Sequence, residues 1–526
     1  MSSWENTRKI YIEWLQKNKL RNVFSIKIKI ENLSLWWLTD LVNKDNINEQ
    51  KWFEDLNKRL SGKTINKESD YKYYFLLFLK LLKKFLTKII LTIFIKIFFR
   101  DKIIGAYNNS NCFYGLLSNF IEFKGVCIDR QYGLCSLKKN INQIYCIELV
   151  ENFSTIFNFF AIKKKLSKVP CDYFILNNYI NISDIIRIYI FTFRKLLEVL
   201  IILNKKNYFY LRDINCEDIL KKKLIGSFFG SIQDELINGF ALRKSLTKTD
   251  PKNFINCFDF HPRARSIYYF SYNNRIKNII SINHANYSQN NLFFNFSKFE
   301  FRKDSNNNNC TLYSPQPNIF LCQGEKYFQK IKSIFTNNKV YKIGSFKIEL
   351  ENKKPISKKK TRKEMFNDNK KKNLLILCSL NDYNSFIKLL NLCNLEKFRI
   401  ILMPHPLKRN QTIKNFHKKF NKKFIISNNK NKGKLIKSSD YIIAGDSSLA
   451  IELAILKYNV IRVYDKEFIP TFDIDKEIPT ATNHTILDQF LSMANIPQNS
   501  LTLEKNYFYK YDNKTSIRFV RIINRL

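Results

Sequence analysis

No two of the eleven cysteines are spaced C-x-x-C; they scatter irregularly from Cys112 to Cys393. An odd number without paired spacing excludes a disulfide framework and reads as reduced, mostly buried thiols of a cytosolic protein. The opening stretch "MSSWENTRKIYIEWLQKNKL" puts charges where a secretory leader needs its apolar core, so export is not expected. Uncharged apolar runs such as 73–79 and 89–95 are too short to span a bilayer as a helix. An aromatic RNA-binding motif, zinc-finger spacing and a helix-turn-helix pattern are all missing, and sequence-specific nucleic-acid binding goes with them. Nor is there a metal-ligating constellation; the "DID" of 473–475 falls in a loop past the last clear strand, and no metal is expected.

Acidic residues are scarce, 45 against 89 Lys and Arg, for a net charge of +44. The excess is mostly Lys, spread evenly, and it accompanies many Asn, Ile, Phe and Tyr with only 12 Gly and 11 Pro. A bias that enriches apolar and basic residues together acts on the whole composition. An anionic partner, a membrane surface rather than nucleic acid, is the alternative reading of the charge.

With 526 residues, 45% of them hydrophobic, the chain is globular and too long for one ordinary core. A stretch almost without apolar residues, "ENKKPISKKKTRKEMFNDNKKKN" at 351–373, reads as a solvated basic linker or loop between a domain at 1–350 and another at 374–526. In the first, Trp36 and Trp37 read as core. The segment 71–100 reads as a helix with Lys80, Lys84 and Lys88 in a stripe beside a broad apolar face, suited either to its own domain or to a membrane interface. A second helical pattern at 183–207 reads as core. Apolar runs "GVCIDRQYGL", "QIYCIELV", "CDYFILN", "IKNIISIN", "PNIFLC" and "VYKIG" alternate with helical stretches and predict a parallel sheet covered on both faces. After the linker, "NLLILCSL", "FRIILMPHP", "FIISN", "DYIIAG" and "NVIRVYD" alternate with helices and predict a doubly wound, Rossmann-like sheet.

Ligands of such sheets bind outside the carboxyl ends of the strands. Two strands of the second domain end there in polar groups. His405 and Pro406 follow "RIILM"; Gly445, Asp446, Ser447 and Ser448 follow "DYIIA". A serine pair opening a helix offers hydroxyls, free amides and the positive end of the helix dipole, a set suited to phosphate. His405 on a neighbouring strand end would donate a proton or hydrogen bond to the same phosphate. Glu452, a helical turn further on, would reach a ribose hydroxyl. As a bare pattern, the two serines also read as an ordinary helix cap.

The order strand-"HP", strand, helix, strand-"GDSS", helix, strand resembles the donor half of GT-B-fold glycosyltransferases, and among them bacterial sialyltransferases and polysialyltransferases with His-Pro and Ser-Ser motifs. "SLWWLTDLVNK", "IISINHANYS" and "VYKIGSFK" are similar to blocks of a surface carbohydrate biosynthesis protein family. The resemblance implies an α/β, GT-B-like fold of two Rossmann-like doubly wound domains facing a cleft, the first taking the acceptor and the second the nucleotide-sugar. It implies metal-independent transfer, with no cofactor beyond the nucleotide-sugar substrate, to a surface polysaccharide or lipid-linked glycan at the inner face of the cytoplasmic membrane. His405 would support departure of the nucleotide, while Ser447 and Ser448, with Gly344 and Ser345, would hold its phosphate. The general-base motif of that family has no counterpart here. Asp259 and His284 are the candidates for the base, with His261, Arg263 and Arg265 on the acceptor side. Transfer of a polyol phosphate from a CDP-activated donor, or a catalytically idle scaffold, are the alternatives.

Overall fold

The computed structural model describes residues 3–42, 51–64, 70–103, 109–138, 141–149, 152–257, 260–272, 276–283, 300–301, 312–352, 358–366, 371–378, 383–405, 409–427, 432–445, 447–464 and 472–526. They form two compact units. One comprises the described residues of 1–284 and 292–350 together with Asp512–Leu526; the other comprises those of 351–511.

The first unit is built on seven parallel strands: β1 (Asn111–Leu116), β2 (Gln143–Glu148), β3 (Asp172–Ile175), β4 (Asn253–Asn256), β5 (Asn278–Ile282), β6 (Ile319–Cys322) and β7 (Lys339–Lys342). Their order in the sheet is β7-β6-β5-β4-β1-β2-β3. The chain therefore starts in the middle, winds one way through β3, and crosses back to start again at β4. That is a doubly wound sheet with its switch point between β1 and β4. Alternate residues of each strand enter different cores. Cys112, Tyr114, Ile144, Cys146 and Phe254 belong to one, whereas Phe113, Tyr145, Ile147 and Ile255 belong to another. Both faces are thus covered, which is why most strands of this sheet read as continuous apolar runs.

The helices that matter to the site and surface of this unit are α1 (Asp70–Phe98), α2 (Phe159–Ser167), α3 (Ile182–Lys205), α4 (Ser231–Thr249), α5 (Pro262–Ser271) and α6 (Phe346–Asn352). In the second unit α7 (Lys358–Phe366) precedes the sheet and α8 (Ser448–Ile455) follows its fourth strand; α9 (Thr515–Arg525) closes the chain.

The second sheet has six parallel strands: β8 (Lys372–Leu377), β9 (Phe398–Met403), β10 (Ile425–Ile426), β11 (Tyr441–Ala444), β12 (Val460–Val463) and β13 (Thr480–Ala481). Their order is β10-β9-β8-β11-β12-β13, again doubly wound, with the switch point between β8 and β11. The GT-B-like class expected from the sequence, α/β with two Rossmann-like doubly wound sheets, is the class observed.

Four local expectations change. Val126–Asp129 of "GVCIDRQYGL" lies outside the large sheet, pairing antiparallel with Phe120–Phe123 in a two-stranded ribbon. The central strands β1, which opens on Asn111, and β4, which begins and ends on Asn, did not stand out as apolar runs. The basic stretch 351–373 contains α7, anchored to the second unit by Arg362, whose Nη1 is 3.2 Å from Asp440 Oδ1, and by the fully buried Thr361. Finally, α9 leaves the second domain to which the sequence assigned it. The backbone amide and Oγ of Ser516 donate to Glu349 Oε2 at 2.9 and 2.6 Å, Arg518 Nε donates to the Ile343 carbonyl, and Phe519 packs on Phe346 and Phe113. Trp36 and Trp37 are core as expected, each 1% exposed.

Candidate functional site

Pairing register fixes the carboxyl edge of the second sheet. Ala444 of β11 is level with Leu377 of β8, and Leu377 is level with Met403 of β9. Gly445 is the next residue on β11, buried, its amide 3.5 Å from the Leu377 carbonyl. Ser447 follows with extended backbone and caps α8, its hydroxyl accepting from the Leu449 amide at 3.2 Å. Ser447 and Ser448 are half-buried. The serine pair thus opens a helix directly at the switch point between β8 and β11, where side loops diverge and leave room for a ligand.

His405 stands two residues past Met403 on the same edge, half-buried. It is not on the adjacent strand, as the sequence suggested, because β8 lies between β9 and β11. Two strand spacings, roughly 10 Å, separate the two strand ends, a gap a phosphate with its attached sugar would bridge. Glu452 is 9% exposed on the inner side of α8. Pro406 and Asp446 lie outside the described residues.

At the outer end of this edge Arg462 is buried at 1% exposure and pairs with Asp475, while Tyr464 and Thr480 donate to the same carboxylate. One member of the "DID" stretch is thereby committed to an ion pair. Among the described residues no three His, Cys, Asp or Glu side chains cluster as metal ligands.

Gly344 and Ser345 belong to the first unit. Gly344 takes a φ of +91° to turn the chain after β7, and the buried Ser345 accepts from the amides of Ile348 and Glu349 at the start of α6. Asp259 and His284 lie outside the described residues. His261 is half-buried at the N-cap of α5, with Pro262 in the first turn. Arg265 is 1% exposed. Its Nε donates to the Phe260 carbonyl at 2.9 Å, its Nη2 is 3.4 Å from Glu300 Oε2, and its guanidinium lies 5.0 Å from the Trp37 ring centre. Burial pulls its pKa down against the pull of Glu300. Arg265 therefore braces the core rather than lining an open acceptor site.

Arg263 does meet chemistry, with partners the sequence did not single out. Its Nη1 is 3.1 Å from Glu148 Oε1 at the end of β2, and its Nε is 3.6 Å from Glu235 Oε2 near the start of α4. Glu148, 6% exposed, also accepts from the Tyr114 hydroxyl and from Asn238 Nδ2 at 3.3 Å. Asp234 faces Lys84 and the buried Lys88 of α1, the latter 3.8 Å away. Three carboxylates thus meet three cations at the carboxyl edge of the first sheet, beside its switch point.

The protonation states diverge inside this group. Burial lifts the Glu235 carboxyl to about 7 despite Arg263, with Asp234 and Glu148 pushing the same way. Burial lowers Lys88, against the pull of Asp234; Glu148 chiefly raises Arg263, against burial. Glu235 Oε2 is buried without a hydrogen-bond partner among the described residues. A carboxyl that titrates near neutrality, with an oxygen in an ion pair yet accepting no hydrogen bond among the described residues, is equipped to take a proton from a hydroxyl. Its only sequence signal is the acidic pair of "SIQDELINGF", near the start of a helix.

No protein-family model matches the sequence, and no curated protein matches it. Among solved structures, the chain is similar to UDP-GlcNAc 2-epimerase from Neisseria meningitidis bound to UDP-GlcNAc, at 13% identity over 80% of this chain and 100% of that one, with a TM-score of 0.43. For UDP-GlcNAc 2-epimerase from Methanocaldococcus jannaschii the identity is 14%, over 79% and 99%, with a TM-score of 0.41. For the wall teichoic acid polymerase TagF the identity is 12%, over 87% and 98%, with a TM-score of 0.40. The chemistry of the site rests on its own sheets and side chains.

Proposed function

We propose that the protein is a glycosyltransferase that takes a sugar from a nucleotide-sugar donor and passes it to a hydroxyl of a surface polysaccharide or lipid-linked glycan. The observation that carries the reading is the serine pair at the second sheet's switch point, with His405 on the same carboxyl edge. Amides and hydroxyls at the start of α8 hold the donor phosphate. His405 donates to the phosphate oxygen as charge builds on it.

In the transfer, the bond between the anomeric carbon and the phosphate oxygen breaks and the nucleotide departs with the electron pair. The acceptor oxygen bonds to the anomeric carbon and its proton passes to a general base, a role for which Glu235 has the chemistry. No metal enters this scheme. The titration of Glu235 near neutrality favours an enzyme over an idle scaffold that keeps only the fold.

The test is turnover by the full chain with CMP-, UDP- and GDP-activated sugars and a CDP-polyol, each offered with a polysaccharide acceptor, reading released nucleotide. One sugar nucleotide should turn over, with His405→Ala and Glu235→Gln each slowing it by about a hundredfold or more. Turnover of the CDP-polyol alone would replace glycosyl transfer by phosphopolyol transfer, and no turnover of any donor by folded protein would overturn both.

A further inference from the structure

Two helices of the first unit carry large apolar side chains on the side turned away from its core. On α1, Leu79, Leu82, Leu86, Ile90, Ile93 and Ile97 recur every three or four residues and are each 43% to 60% exposed. The opposite side of the same helix buries Leu91 and Ile95 completely. On α3, read from sequence as core, Ile185, Ile188, Leu196 and Val199 do face inward, yet Ile186, Ile190, Phe193, Leu197 and Ile201 form a second outward stripe at the same spacing, 39% to 65% exposed.

The stripes belong to one surface. Phe85 of α1 packs on Tyr189 of α3 with ring centres 4.8 Å apart. At the other end Phe98 of α1 packs on Phe159 of α2 at 5.2 Å, beside Phe157 and Phe160, which are 85% and 82% exposed. A helix of 29 residues is about 44 Å long. Such a face is far larger than the apolar patches that soluble monomers tolerate in water.

Charge decides what covers it. From 71 to 100 there are seven Lys and Arg and no acidic residue, with Lys84 and the buried Lys88 turned to Asp234, and from 152 to 168 there are four Lys and again no acid, with Lys168 paired to Glu122. The two carboxylates of α3 are already engaged, Asp184 with Lys244 and Glu198 with Lys195. Lys80 and Lys83 are exposed and have no ion pair among the described residues. A second copy docked through the same face would set this positive charge against itself. An anionic lipid surface neutralises it, with the lysine stems lying along the apolar stripe and the ammonium groups among the phosphates. Neither helix is long and apolar enough to cross a membrane.

We propose that the outward face of α1 and α3, with Phe157 and Phe160 at its corner, rests in the interfacial layer of a bilayer containing anionic lipid. This inference stands independently of the donor-site reading. The test is flotation of the full chain with vesicles of phosphatidylcholine alone, or with roughly one-third phosphatidylglycerol, at low and high salt. The expected result is at least tenfold more protein bound to the anionic vesicles, weakened by salt. Binding should fall about tenfold in Lys80→Glu/Lys83→Glu and be abolished in Leu86→Glu/Ile190→Glu, whose exposed positions leave the melting temperature unchanged. No binding of the wild type to anionic vesicles would overturn the proposal. So would binding untouched by either double substitution, or a solution dimer that Leu86→Glu/Ile190→Glu converts to monomer.

Discussion

The guanidinium of Arg263 stands 3.1 Å from the carboxylate of Glu148 and also approaches Glu235, so one cation serves two acids at the carboxyl edge of the first sheet. The acids differ in satisfaction. Glu148 has a tyrosine, an asparagine and the arginine as donors, whereas the buried Glu235 oxygen that faces Arg263 at 3.6 Å accepts no hydrogen bond among the described residues.

That difference has a pH signature. The Glu235 carboxyl rises from an ordinary 4.5 to about 7 on folding, so the folded protein holds its proton longer than the unfolded chain does. Its contribution to stability is complete below the unfolded value and is lost as pH rises through about 7. Glu235→Gln removes the ionisation. Urea melts from about pH 5 to about pH 8 should show the variant gaining on the wild type as pH rises, by on the order of 1–3 kcal/mol at the upper end. A constant difference across the range would place the titration elsewhere.

Ser447 is both a helix cap and the proposed phosphate ligand. Ser447→Ala removes the hydroxyl that accepts from Leu449 and should cost about 1 kcal/mol in chemical denaturation. Ser447→Asp restores a capping oxygen while adding a negative charge. It should return stability to within a few tenths of a kcal/mol of wild type.

Gly239, in the middle of α4, permits a close approach to α5. A Cβ there would lie 2.1 Å from Cδ2 of Phe270 and 2.7 Å from the Ser266 hydroxyl. In an isolated helix Gly→Ala gains about 1 kcal/mol. Here overpacking should outweigh that gain and leave Gly239→Ala about 1–3 kcal/mol less stable by urea melts.

Arg265→Ala removes the charge that faces Glu300 and the group stacked on Trp37, at a fully buried position. The loss should be about 3 kcal/mol or more, seen as a large fall in the urea midpoint.

Why these features differ in legibility follows from where their information resides. Both doubly wound sheets were visible because strands buried on two faces are apolar runs; the second was read strand by strand except for the two-residue β13. Strand order was not, since pairing is a tertiary choice: β8 between His405 and the serines leaves no mark on the local sequence. The outward stripe of α3 escaped because two apolar faces on one helix look like ordinary burial. Glu148 and Glu235 are 87 positions apart in the chain, and the crossover that returns from β3 to β4, beside β1, brings them to one arginine. Arg265 and Arg263, two residues apart, divide into a core brace and a charged edge because the helix turns one inward.

The most direct measurement of the central claim is calorimetric titration of CMP, CDP, UDP and GDP into the wild-type chain and into Ser447→Asp. Binding of at least one nucleotide by the wild type, lost in a variant that melts like it, is the expected result and places the phosphate at the start of α8. Equal binding by both would contradict the donor site, and binding by neither would contradict a nucleotide-sugar enzyme altogether.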